Sequence, residues 1–305
     1  MAFCSECGSE LELNAKFCNV CGKKVGVPGP SDNINNVSSG NVKMVIGDEC
    51  MDYQIQNENG ILTFTIDREE KRNAINYAVM DGLKEVITYI KEQQDVRFLV
   101  ITGAGEKSFC SGGDLSEFHN LETEEQAFGM LSKMGNILYD LATLPVPTIA
   151  LINGTAVGGG CEIATACDFR LMASHAKAGF IQGSLAITSG WGGGTYLFER
   201  GLRHDRALKM LVDAKPYDAQ TLHDIGWAMR VYIEGTKEQA LADFIEHMAK
   251  IHPSVHQAYK EIELRKWRER NMYDRVMEEI QMCAQLWESE AHHEAVNTFL
   301  NKSKK

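Results

Sequence analysis

Thr148-Ile149-Ala150-Leu151-Ile152-Asn153-Gly154-Thr155-Ala156-Val157-Gly158-Gly159-Gly160-Cys161-Glu162 is the stretch whose reading decides the fold. Its first five residues have the apolar character of a strand buried on both faces, and the glycine-rich turn after them opens directly into a helix. The segment Arg97-Phe98-Leu99-Val100-Ile101-Thr102-Gly103 repeats the theme, and a second glycine turn, Phe109-Cys110-Ser111-Gly112-Gly113-Asp114-Leu115, follows it. Val79, Leu83, Val86, Ile87 and Ile90 recur at helical spacing before that strand, and residues 130–144 read as a helix stopped by Pro145 and Pro147. Repeated strand-helix-strand units predict an α/β fold. Upstream, Tyr53 and Ile55, then Ile61, Leu62, Phe64 and Ile66, flank Asn57-Glu58-Asn59-Gly60, a hairpin signal. Beyond about residue 205 the pattern is helical, through 240–251, 254–268, 273–287 and 290–300.

The 305 residues carry a net charge of -11 and no block of Lys and Arg, which makes a nucleic-acid partner unlikely to be found and puts small molecules first. No apolar run reaches the roughly 18 to 20 residues of a membrane span, and the N-terminus has no basic and apolar leader. A soluble, cytoplasmic protein is therefore expected. Nine cysteines, an odd number, point to metal or buried thiols and not to a disulfide framework. Four of them form two knuckles, Cys4-Ser5-Glu6-Cys7-Gly8 and Cys18-Asn19-Val20-Cys21-Gly22, a spacing that suits tetrahedral zinc. The segment between the knuckles has room for one short hairpin and none for an apolar core, so the metal would be the core. This resembles a short zinc ribbon; lacking a basic stripe, it is expected to contact an unknown protein partner or to add stability. The expected division is a ribbon at 1–25, an Asn- and Ser-rich linker at 26–50, a core at 51–250 and a helical C-terminal region at 251–305.

The two glycine turns hold the chemistry. Neither is GxGxxG, because position 163 is Ile, and neither is a P-loop, because Gly160 stands where Lys is needed; no nicotinamide or flavin cofactor is expected. No Ser sits in GxSxG. What remains is bare backbone N–H groups at two turns, one of them at a helix N-terminus, and such pairs make oxyanion holes.

Arg68-Glu69-Glu70-Lys71-Arg72-Asn73-Ala74-Ile75-Asn76, Val100-Ile101-Thr102-Gly103, Ser111-Gly112-Gly113-Asp114-Leu115 and the turn from Asn153 to Glu162 together resemble the enoyl-CoA hydratase/isomerase, or crotonase, family over residues 51–305. Thr165-Ala166-Cys167-Asp168-Phe169-Arg170-Leu171-Met172 and Gly190-Trp191-Gly192-Gly193 resemble its ethylmalonyl- and methylmalonyl-CoA decarboxylase branch. The resemblance implies a spiral of strand-helix units and a coenzyme A thioester substrate whose carbonyl is held by the N–H groups of Gly113 and Gly159. It also implies that Ser111, Gly112, Asp114 and Leu115 surround the substrate, that Lys71, Arg72 and Lys302 meet the CoA, and that the chain forms a homotrimer or hexamer. Glu162, three residues past Gly159, becomes the acid or base, with helix capping as the alternative. The second glutamate of the family's hydratases falls at Gln182 or at Ser184, depending on the direction of counting. No Asp or Glu occurs in residues 169–198, so hydration should be poor and decarboxylation or isomerisation through one carboxylate fits better. Cys161 and Cys167 are expected to pack, His119 to lie at the surface, and Trp191 to wall the pocket or fill the core. Binding of acyl-CoA or protein without turnover is the alternative from another class.

Overall fold

The computed structural model describes residues 52–93 and 95–302, the side chains of 300 and 302 excepted, together with the backbone of three two-residue strands. Two of these, Ala2–Phe3 and Glu10–Leu11, pair antiparallel in a small N-terminal unit. They bracket Cys4 and Cys7 in the chain; the four cysteines themselves, the 1–25 module's interior and most of the 26–50 linker lie outside the described residues. The third strand, Met44–Val45, falls within the stretch expected to be linker and pairs with Asn57 and Gln56 at a sheet edge.

Residues 41–305 form the second unit. The expected hairpin joins Tyr53–Glu58 to Ile61–Ile66, and its two-residue turn places Asn59 and Gly60 at positive φ, the left-handed geometry that matches strand twist. Ile61–Ile66 then begins a parallel run, through Phe98–Gly103, Thr148–Ile152, Phe169–Ala173 and Arg230–Tyr232, in a seven-stranded sheet. Phe98–Gly103 and Thr148–Ile152 are buried at every residue, as their unbroken apolar character predicts. Three of these strands are each followed by a short strand of a second sheet: Ser108–Cys110, Thr155–Val157 and Lys177–Gly179 run parallel, with Tyr217–Asp218 antiparallel at the end. The chain thus winds as a spiral, one strand per sheet in each turn.

Helix Glu124–Ala142 starts at a capping box, in which the Thr123 hydroxyl accepts from Gln126 N and the Gln126 side chain accepts from Thr123 N. Helix Met272–Trp287 packs on it, with Ile280 against Gly135, and turns Val276 and Cys283 toward Gly192 and Gly190. Trp267 and Trp287 are buried in their own chain.

Candidate active site

The three parallel strands of the second sheet end side by side, and each feeds one loop of the site. Ser108–Cys110 leads to Gly112 and Gly113, Thr155–Val157 to the helix Gly159–Ala166, and Lys177–Gly179 to Gln182 and Ser184. Because Ser108–Cys110 and Thr155–Val157 are neighbours, the two glycine turns touch: a Cβ on Gly112 would stand 3.2 Å from Gly159 N, and one on Gly160 would meet the Cys110 carbonyl at 2.1 Å. Gly112 also sits at φ +101°, a conformation glycine adopts freely. Among the described residues, no acceptor meets the N–H of Gly113 or of Gly159.

Beside these two donors a cavity of about 140 Å³ is lined by Ser111, Gly112, Gly113, Leu115, Gly159, Glu162, Gln182 and Ser184, with Trp191, Trp287 and Phe299 among its aromatic walls. Trp191 serves both expected roles. It is 4% exposed, and its indole lies against both glycines, so that a Cβ on Gly159 would be 2.0 Å from the ring.

Glu162 is 2% exposed and is the only carboxylate among the described cavity residues. Oε1 accepts from Gln182 Nε2 at 2.8 Å and Gly190 N at 3.2 Å, and Oε2 accepts from Trp191 N at 2.8 Å and Gly193 N at 2.9 Å. Among the described residues, Glu162 makes no capping bond in its own helix; it accepts instead from the loop and first residue of the following helix, Gly193–Glu199, while facing the cavity. Burial, helped by the nearby Glu279 carboxylate, pushes Glu162 up to about 7, and the three backbone N–H groups pull the other way. Such a group can hold or release a proton near neutral pH.

Other expected residues fall differently. Asp114 does not line the cavity: its carboxylate caps the turn Leu115–Phe118 and pairs with Arg68 at 2.8 Å. Against the effect of burial, hydrogen bonds from Ser116 and Arg68 hold Asp114 below the usual carboxylate range, a structural role in place of the expected substrate contact. Lys71 and Arg72 are exposed, and the Arg72 carbonyl accepts from Ser111 N, which ties their loop to the first glycine turn. Ser184 is exposed and its hydroxyl donates to the Ile181 carbonyl. Lys302 ends the last helix, with its side chain outside the described residues. Burial pushes the Cys161 and Cys167 thiols up, that of Cys167 to about 12, which suits packing and not reactivity. His119 is exposed and outside the cavity.

Sequence reasoning missed Glu279. Its signal was present: Val276, Ile280 and Cys283 form the buried stripe of helix Met272–Trp287, and an acid at 279 lies within that stripe.

The profile of the enoyl-CoA hydratase/isomerase family matches residues 56–305, and that of a zinc-ribbon domain matches residues 3–25. Ethylmalonyl-CoA decarboxylase of Xenopus laevis is 31% identical over 245 residues, 79% of this chain and 80% of that protein. Mitochondrial methylglutaconyl-CoA hydratase of Mus musculus is 36% identical over 180 residues, 59% of this chain but only 57% of its own length. Among solved structures, an enoyl-CoA hydratase from Bacillus anthracis superposes with a TM-score of 0.67 at 28% identity, covering 82% of this chain and 96% of that one.

Proposed function

This chain belongs to the enoyl-CoA hydratase/isomerase family, and we propose that within it the protein decarboxylates a short malonyl-type CoA thioester. The observation that carries this reading is the single cavity carboxylate beside two unpaired backbone N–H groups. The thioester oxygen accepts from Gly113 N and Gly159 N. The bond from the α-carbon to the substrate carboxylate breaks, CO2 leaves, and the electron pair becomes an enolate whose charge the two donors stabilise. Protonated Glu162 then delivers its proton to the α-carbon, and solvent restores it.

The lining supports this order of events. No Lys, Arg or His lines the cavity among the described residues, so a substrate carboxylate there has no cation, and its loss as neutral CO2 relieves an unpaired charge. A cavity of about 150 Å³ accommodates a benzene-sized group, so the space here suits a short acyl chain. The exposed Lys71 and Arg72 would meet the CoA phosphates outside it.

The hydratase relatives favour a second reading, addition of water. Ser184 and Gln182, where a second carboxylate would be needed, speak against it. Incubation with ethylmalonyl-, methylmalonyl- and crotonyl-CoA, followed by mass spectrometry, decides: loss of CO2 supports the proposal, and rapid hydration with no decarboxylation overturns it.

Two further assignments belong to this proposal. The four thiolates of Cys4, Cys7, Cys18 and Cys21 would hold a structural zinc in the N-terminal module. The chain would self-associate through helix Pro253–Glu269, where Val255, Tyr259 and Ile262 form an exposed apolar stripe at helical spacing.

A further inference from the structure

The loop from Ser189 to Thr195 carries donors to two buried carboxylates. Gly190, Trp191 and Gly193 give their N–H groups to Glu162. The Ser189 hydroxyl at 2.5 Å, Gly194 N at 2.9 Å and Thr195 N at 2.7 Å go to Glu279. The glycine run is explained by the same crowding, since a Cβ on Gly193 would fall 2.5 Å from Glu162 Cγ and one on Gly194 would fall 3.2 Å from Glu279 Oε1. Glu279 is 8% exposed, does not line the cavity, and reaches the loop from helix Met272–Trp287. We propose that Glu279 is a positioning residue for Glu162: from helix Met272–Trp287 it fixes the other half of the shared segment whose N–H groups hold the Glu162 carboxylate.

The chemistry follows from what surrounds Glu162. The donors on its two oxygens favour the Glu162 anion, whereas burial first and the Glu279 carboxylate second favour the protonated form. Other ionisable side chains that act on it or feel its charge are Cys161 on its own helix, Tyr196 on helix Gly193–Glu199, and Cys283 on helix Met272–Trp287. Burial keeps all three neutral, and neither carboxylate has an ion-pair partner among the described residues. Among charged groups, Glu279 is the one that adds to burial in opposing the donors. The donors that neutralise Glu279 also hold the chain at Trp191, so the same residue sets the indole wall over Gly159.

This inference rests on Glu162 being the proton-transfer group, so its test avoids turnover. The protein is labelled with carboxyl-13C glutamate and titrated by NMR without substrate, with the Glu162 signal assigned from its absence in Glu162→Gln. In the wild type, the Glu162 carbon is expected to titrate near neutrality. In Glu279→Gln its main inflection should move to lower pH by about tenfold in proton affinity. An unchanged inflection in folded Glu279→Gln overturns the proposal. If that variant does not fold, Ser189→Ala, which removes one donor to Glu279, is titrated in its place, and an unchanged Glu162 inflection overturns the proposal equally. Undiminished turnover in Glu162→Gln, by contrast, removes the catalytic reading and leaves the titration result standing.

Discussion

Replacing Gly159 by Ala tests the site where its geometry is tightest. The new Cβ would lie 2.0, 2.3 and 2.7 Å from three atoms of the Trp191 ring, whereas carbon atoms rest about 3.5 to 4.0 Å apart, so the indole must retreat by roughly 1.5 Å. Overpacking of this kind costs about 1 to 3 kcal/mol, and Ala in place of Gly at a helical position returns up to about 1 kcal/mol. The net loss of about 0 to 3 kcal/mol corresponds to no more than about 12 °C in melting temperature for a chain of this size. Activity should suffer more. Trp191 N donates to Glu162, so a shifted Trp191 displaces the acid as well as the N–H of residue 159, and loss of one such donor alone costs about 2.7 to 4 kcal/mol, or 100- to 1,000-fold in kcat. Gly113→Ala should be milder in stability, since its Cβ would meet Phe118 at 3.1 Å and a few tenths of an ångström suffice. Formation of the decarboxylated thioester, followed by mass spectrometry beside thermal melts, separates the two effects. Trp191→Leu in the Gly159→Ala background should restore part of the lost stability. The reasoning is refuted if folded Gly159→Ala turns over within threefold of the wild type.

Glu162→Gln should reduce turnover by about 100- to 10,000-fold while the protein remains folded. The same variant reports on stability against pH. Glu162 rises from 4.5 to about 7 on folding, so the folded state binds the extra proton and the contribution is complete below about pH 4.5, then lost as pH rises through about 7. That amounts to about 3 kcal/mol, and thermal melts of Glu162→Gln between pH 5 and 7.5 should lack this decline; a parallel decline in both proteins would falsify the assignment. Ser184→Glu, at the exposed cavity rim, is expected to raise hydration of crotonyl-CoA, whereas Gln182→Glu would put a second acid 2.8 Å from Glu162 and should impair both reactions. Chelation of zinc should abolish structure in residues 1–25 and leave CoA-ester binding by 51–305 intact, which calorimetry can check; joint collapse of both transitions would count against it.

The strands and helices were legible because their residues obey local rules. Thr148–Ile152 is apolar at every residue after Thr148 because both of its faces are covered, the Asn59-Gly60 turn supplies two positive φ values, and the apolar stripe of Met272–Trp287 repeats every three to four residues. The glycines at 113 and 159, with Glu162 three residues past the second, could also be picked out, through the resemblance of both turns to the motifs of the enoyl-CoA hydratase/isomerase family. Their meeting could not. Ser108–Cys110, Thr155–Val157 and Lys177–Gly179 are three residues each, too short to show a period, and only their lateral pairing sets the two glycine turns and Gln182 around one cavity. Asp114 matched a substrate-binding motif, yet its charge is satisfied by Arg68, 46 residues away in the chain. Glu279 is 117 residues from Glu162 in sequence and shares a loop with it in space. The electrostatics of the acid were therefore decided by tertiary structure alone, because burial and the approach of a second carboxylate depend on which distant segments pack together and not on the residues beside Glu162 in the chain.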